Sequence, residues 1–446
     1  MKTDFINGKP IKNIILFAVP IMLSSLMQYT YNLVDNIIVG RYVSTDALAA
    51  VGNVSPINSF IIGTALGLTA GFTIPVAQYF GAGNYREMNR QAGNAISVST
   101  IIGVLVIVIA HFISDPILRL INTPDNIISL SADYINILYF AVPFQMLYNI
   151  FTSIARSVGD SQKPLYFLLI SIFVNLVLDL LFVAKLGMGV KGAAWATLIS
   201  QVVAAIAAGI YVFKYNKHID IKTSDLLPDK KITWRQLKLG IPVSLQFTIT
   251  SIGSMILQSA VNDFGSNVVA AFTAAGKAES ITNIPMSGLG VSTATFVAQN
   301  YGAHKFRRIT DTVRKVFILD LAVSVVCSVI LGTCGDQIVQ LFMTTYNAEI
   351  MAAAKQYLFA ISLCYSLVAV LFVLRNTLQG LGFTYSNMIA GAGELIGRIA
   401  VAYLFTPLIG FNAVCFAGPM AWLLADIPLI VIYLKKSRLF KKMSAN

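Results

Sequence analysis

"VAQYFGAGNYR" at 76–86 returns as "VAQNYGAHKFR" at 297–307, 221 residues further on. A match of that length at a fixed distance marks an internal repeat, and other segments keep its register. "AVPIMLSSLMQ" around Pro20 resembles "GIPVSLQFTIT" around Pro242 at a distance of 222, and "ALAAV" at 47–51 resembles "VVAAF" at 268–272 at 221. The chain therefore reads as two homologous lobes, 1–217 and 236–446. A polar cytoplasmic linker over 218–235, containing "HIDIKTSDLLPDKK", joins them.

Composition says what each lobe is made of. Of 446 residues, 56% are hydrophobic and 12% charged, with a mean hydropathy of +0.73; soluble domains carry about a quarter charged residues. The hydrophobicity falls into twelve stretches of about 20 residues, the length that crosses a hydrocarbon core as a helix. They begin near Ile14, Asn53, Ala92, Asp133, Lys163, Val190, Gln236, Ala278, Arg314, Gln356, Ser386 and Phe411. Strand-length alternation is missing, which argues against a barrel. The expectation is an all-α integral membrane protein of twelve transmembrane helices in two six-helix bundles. An even number of spans per lobe relates the bundles by a pseudo-two-fold along the membrane normal, with a cleft between them. The first stretch is too long for a removable signal peptide and lacks a small-residue cleavage site.

The net charge of +12 has to be read with its distribution. With the N-terminus inside, 25 of the 32 Lys and Arg fall on the cytoplasmic side and five outside, leaving Lys277 and Arg398 within spans. That asymmetry is the positive-inside rule; it predicts a multi-pass bacterial inner-membrane protein with both termini cytoplasmic. The tail "KKSRLFKK" (Lys435 to Lys442) and the Lys214–Lys238 loop are topology determinants beside anionic lipid. No aromatic-interleaved basic face accompanies them, so nucleic acid is not an expected partner. Cys327, Cys334, Cys364 and Cys415 form no C-x-x-C, and His111, His218 and His304 are scattered, which disfavours a His/Cys metal site. Neither G-x-S-x-G nor H-E-x-x-H occurs, so an intramembrane enzyme is disfavoured and no cofactor is expected. Gly63, Gly67 and Gly71 read as a close helix-packing face.

Six acids lie within or at the margins of spans: Asp35, Asp179, Glu279, Asp320, Glu394 and Asp426. A charge near a helix centre costs about 2.5–3.5 kcal/mol on insertion scales, so each needs a reason. Glu394 has Arg398 four residues on, the spacing of an internal ion pair. Glu279 follows Lys277 near a span start, and Asp320 and Asp426 stand alone. Asp179 differs: Asn175 lies one turn earlier on the same face and no cation follows within reach. Oxygen-bearing side chains on one stripe form half of a site for a hard cation, and Asp35 can supply the other half. Two carboxyl groups meeting in a buried place cannot both stay ionised unaided, which also makes them a place to exchange a proton. Positions equivalent to Asp35 fall at Met255 to Leu257, and those equivalent to Asn175 and Asp179 near Arg398 and Ala402. The second lobe lacks the acidic pair.

These features together resemble the multidrug and toxic compound extrusion (MATE) family. The resemblance rests on the Pro20 and Pro242 openings, "GNVSPINSF", both "VAQ-x-x-GA" turns, "SIARSVGDSQKP" at 153–164 and "GVKGAAWATLISQ" at 189–201, and it covers essentially the whole chain. It implies a secondary antiporter that exports cationic or amphipathic organic compounds in exchange for sodium or protons by alternating access, acting as a monomer. It also implies a first-lobe cation site mapping onto Asp35, Asn175, Asp179 and Thr197, with Tyr31 and Asn149 as polar neighbours and sodium as the sole metal. Pro20 matches a position where the first helix is proposed to bend, and a proline permits a kink by removing a backbone hydrogen bond. The chain is closer to the DinF/MepA-like branch than to the NorM-type one, whose second-lobe acids fall roughly at Thr250 and Val368 here. Glu279, Glu394 and Arg398 are the remaining polar candidates of that lobe. A lipid-linked saccharide flippase of the same superfamily is the alternative; it would need more cations inside than Lys277 and Arg398 supply.

Overall fold

The computed structural model describes residues 3–120, 123–340 and 347–443, and the regular structure among them is helical. In chain order the long helices are α1 (Pro10–Tyr42), α2 (Thr45–Phe72), α3 (Tyr85–Leu120), α4 (Asp125–Ser157), α5 (Gln162–Asp179), α6 (Gly189–Ile210) and α7 (Lys230–Asn262). They continue as α8 (Ser266–Gly302), α9 (Phe306–Gln340), α10 (Ala348–Cys364), α11 (Ser366–Gly380), α12 (Tyr385–Ala400) and α13 (Ala417–Met443). Among the described residues ten helices, some counted with their short extensions, are long and apolar enough to cross a membrane. The pair α10 and α11, bent by 55°, passes the same test together. The remaining span is α8, 37 residues long, whose stretch from Lys277 to Asn283 carries Glu279, Ser280 and Thr282 and dilutes its apolar character. It packs against α9, α10 and α11 within its unit, so polar residues on it can face protein rather than lipid.

The repeat seen in the sequence is repeated in backbone detail. After the short helix Ile74–Gly81, the amides of Gly83 and Asn84 donate to Phe80 O and Tyr79 O, both at 3.0 Å. After α8, the amides of His304 and Lys305 donate to Tyr301 O and Asn300 O at 3.1 and 2.9 Å. Closing this turn needs a left-handed residue, and Gly83 (φ 71°) and His304 (φ 56°) stand there, 221 positions apart. Each lobe also has a π-helical turn at a corresponding place, Leu180–Lys185 after α5 and Val401–Phe405 after α12.

By packing, the chain forms two units whose boundaries differ from the predicted ones. The first comprises Met1–Thr3 and Leu23–Ser244, and the second Asp4–Met22 and Leu245–Asn446. Thus α1 is divided. Its Ile14, Phe17 and Ala18 are fully buried in the same core as α8 residues Ala271 and Phe296, which draws the first part of the helix into the second unit. Hydrogen bonds hold the linker and the start of α7 in the first unit: Asn94 Nδ2 donates to Gln236 Oε1 at 2.8 Å, Gln236 Nε2 to Gln91 O at 2.8 Å, and Asp229 N to Asn94 Oδ1 at 2.7 Å. Gly71 sits so close to Gly240 that a Cβ there would lie 2.4 Å from its Cα, confirming α2 as a close-packing helix face. Within the first unit α4 is central, packed against α2, α3 and α6.

Candidate functional site

Three membrane helices of the first unit bring the predicted acids and their neighbours together. Tyr31 and Asp35 lie one turn apart on α1, Asn175 and Asp179 one turn apart on α5, and Thr197 on α6. Asn175 and Asp179 are each 1% exposed. The carboxyl groups of Asp35 and Asp179 lie within hydrogen-bonding distance of each other. With its amide nitrogen turned to Asp179, Asn175 donates to Oδ2 at 2.7 Å, and its oxygen accepts from Tyr31 OH at 3.3 Å and from Thr197 N at 3.2 Å. None of the ion pairs among the described residues involves Asp35 or Asp179. One oxygen of each, Oδ1, is buried without a hydrogen-bond partner among the described residues.

That geometry limits the chemistry. Two ionised carboxylates are acceptors only, so a contact between them requires a proton on one of them or a cation between them. Carboxylate, amide and hydroxyl oxygens from three helices form the kind of donor set a hard monovalent cation takes. The cluster also holds a residue that sequence reasoning missed. Tyr134 of α4, 6% exposed, lies close enough to both acids to feel their charge. A tyrosine in an apolar span reads as core, and no spacing rule ties α4 to α1. Asn149, the other expected neighbour, is buried on α4 fifteen residues beyond Tyr134, about 22 Å of helix rise away. Its backbone oxygen accepts from Thr152 Oγ1, and the structure does not bring it into this network. Pro20 lies inside α1, which stays helical through it over 33 residues.

The second unit resolves its buried charges differently. Glu394, 4% exposed, pairs with Arg398 at 3.8 Å, the i, i+4 contact its spacing predicts. A closer partner is Arg375 of α11 at 3.2 Å. Arg375 is not one of the two cations the sequence count leaves within spans; the structure places it 13% exposed on Glu394, so Lys277 and Arg398 are not the only cations inside. Thr250 Oγ1 donates to Glu394 Oε2 at 3.4 Å, and Arg398 Nη1 donates to Thr250 O at 3.0 Å. The acid beside Thr250 therefore comes from α12, while Val368 is packed in the apolar core. Glu279 accepts from Tyr357 OH of α10 at 3.0 Å, a partner on a different helix from Lys277. Asp320 and Asp426, 0% and 2% exposed, have no hydrogen-bond partner among the described residues on either carboxyl oxygen.

The MatE family matches twice, over residues 20–181 and 242–404. The chain belongs to the MatE family. Both matched segments start at the paired prolines, and one falls in each half of the internal repeat. Among its relatives, the "Probable multidrug resistance protein YoeA" of Bacillus subtilis (strain 168) is 32% identical over 336 residues, covering 74% of this chain and 73% of YoeA. The "Probable multidrug resistance protein YpnP" of the same organism is 28% identical over 409 residues, covering 91% and 89%. A crystal structure of MATE in the bent conformation superposes with a TM-score of 0.92 at 25% identity, covering 99% of this chain and 98% of that one. This MatE-family protein is a membrane transporter and not an enzyme.

Proposed function

We propose that this MatE-family transporter is a secondary antiporter of a bacterial inner membrane, with both termini cytoplasmic. It exports cationic or amphipathic organic compounds, and sodium or protons moving inward through the Asp35–Asp179 pair drive the export. The observation that carries this reading is the contact between two carboxyl groups with no cationic side chain paired to either. Asn175, Tyr31 and Thr197 hold the pair in place, and an incoming cation replaces the shared proton or fills the space between the oxygens. One net charge moving inward down 100 mV contributes about 2.3 kcal/mol, enough to support about a fortyfold concentration ratio of an uncharged exported compound. For a monovalent cation a one-for-one exchange is electroneutral, and the ion's own concentration gradient or a second inward ion drives export. Coupling follows if cation and compound bind different states of the same conformational equilibrium. One chain holds the whole cluster, which supports action as a monomer.

The test is ethidium efflux from energised cells under separately imposed sodium and proton gradients, comparing wild type with Asp35→Asn and Asp179→Asn at matched protein level. Loss of gradient-driven efflux in both variants is the expected result, and the gradient that drives the wild type names the ion. Normal pumping by both would end the proposal.

A further inference from the structure

At the start of α9 lies a strongly basic cavity of about 760 Å³ that the antiport reading does not use. Four cations, Lys305, Arg307, Arg308 and Lys315, line it against one acid, Asp311. Lys305 Nζ donates to Ile6 O at 2.9 Å and to Asn7 Oδ1 at 3.1 Å, and Arg308 donates to the carbonyls of Phe5 and Gly8. Those bonds fix two cations without neutralising them. Arg307 is 89% exposed and reaches Asp311 only at 3.9 Å, while Lys315 is exposed and makes no hydrogen bond or ion pair among the described residues. The cavity therefore presents uncompensated positive charge with two side chains free to close on an anion.

What lies below it identifies the anion's class. From Lys315 the exposed positions of α9 continue at helical spacing through Ile318, Ala322, Val325 and Val329, and the three larger residues are 59%, 54% and 57% exposed. A charged head group followed along one helix face by apolar chain matches a phospholipid, not a soluble phosphate.

The repeat supplies a comparison. A cavity of about 990 Å³ opens at the start of α3, with Arg86 where α9 has Arg307. There Arg90 is held by Glu87 at 2.7 Å and lies 3.8 Å from Asp229, and residues 91–96 are all buried, with the linker packed on Gly93 and Ser97. The exposed apolar face of α3, from Ile101 through Leu105 and Val108 to Phe112, begins only eleven residues beyond Arg90, with no exposed position between, so it does not run on from the cavity.

We propose that the α9 cavity binds the phosphate headgroup of an anionic phospholipid, whose acyl chains lie along the Ile318–Val329 face. The test is native mass spectrometry of the full chain in detergent, titrated with phosphatidylglycerol, phosphatidylcholine or inorganic phosphate. Phosphatidylglycerol is retained in preference to phosphatidylcholine and is not displaced by inorganic phosphate. A membrane-proximal cation contributes about fivefold in affinity, so Arg307→Ala with Lys315→Ala weakens phosphatidylglycerol binding by about twenty-fivefold. Arg86→Ala with Arg90→Ala leaves it unchanged. The single variants Arg307→Gln and Lys315→Gln, each expected to lose about fivefold, carry the test if the double variant folds poorly. Equal retention of the two lipids, unchanged affinity in the α9 variants, or equal losses in the α3 variant would overturn the site; displacement by inorganic phosphate would overturn the lipid.

Discussion

In the first unit Asp35 and Asp179 face each other among Asn175, Tyr31 and Tyr134, and no ion pair among the described residues reaches them; in the second, Glu394 lies between Arg375 and Arg398. The two lobes share a repeat, the same turns and paired π-helical segments. Their difference is therefore one of charge on a common scaffold. A buried acid with two arginines has its compensation built in and no reason to exchange ions. A buried acid whose neighbour is another acid is compensated only by something mobile. The π-helical turn after Asp179 does not mark the site by itself, because Val401–Phe405 repeats it where no acid stands.

The largest expected effect tests this contrast directly. Asp179→Asn abolishes gradient-driven efflux, whereas Arg398→Ala retains efflux per folded molecule because its contact with Glu394 is the looser of the two. Efflux assays normalised to protein level check both arms, and loss of coupling in Arg398→Ala alone would move the ion site to the second unit. Next in size is a stability effect. Arg375→Ala removes the close partner of a buried carboxylate and costs about 3–5 kcal/mol, read as a lower melting temperature of the purified protein. A melting temperature unchanged by Arg375→Ala would mean that Arg398 alone compensates Glu394.

How much of this was legible depended on whether partners lie on one helix. The pairs Tyr31/Asp35, Asn175/Asp179 and Glu394/Arg398 each follow from i, i+4 spacing. The twelve stretches and the repeat gave the fold class, because span length and self-similarity are properties of the chain alone. Arg375 and Tyr134 were not legible as site residues, since each meets its partners only through tertiary packing. The division of α1 between the units was equally hidden: residues 10–42 read as one apolar stretch, and what divides them is which core Phe17 enters.

A smaller effect sharpens the comparison at the level of packing. Gly67 and Gly288 are 221 positions apart, and a Cβ would find no free space at either. At Gly67 it would lie 2.4 Å from Ser244 Cα, so the backbone has to move; at Gly288 it would meet Met22 Cγ at 2.6 Å, and a methionine side chain can turn away. Gly67→Ala is expected to cost about 1–3 kcal/mol and Gly288→Ala about 1 kcal/mol or less, measured as melting temperatures of the two single variants. Equal losses would show that Met22 is as fixed as backbone.

The smallest effect concerns an acid compensated in a third way. Asp229 stands before α7, where its Oδ1 accepts from Lys231 N at 2.8 Å and Ile232 N at 3.0 Å, with Arg90 at 3.8 Å from its other oxygen. The Ile232 amide above all, with the Lys231 amide and the Arg90 charge, holds this carboxyl below its usual range. A carboxyl whose folded pKa is depressed stabilises the folded state above its unfolded pKa and loses that contribution as pH falls through the folded value. Its contribution is therefore complete at neutral pH and disappears only in the acid range below about pH 4, the unperturbed carboxylate value. Asp229→Asn keeps a capping oxygen but removes the charge, so the acid limb of the melting-temperature profile flattens slightly while efflux and its pH dependence stay as in wild type. If efflux shifted with pH in this variant, titration outside the membrane would be contributing to coupling, and the sole assignment of the coupling ion to Asp35 and Asp179 would fail.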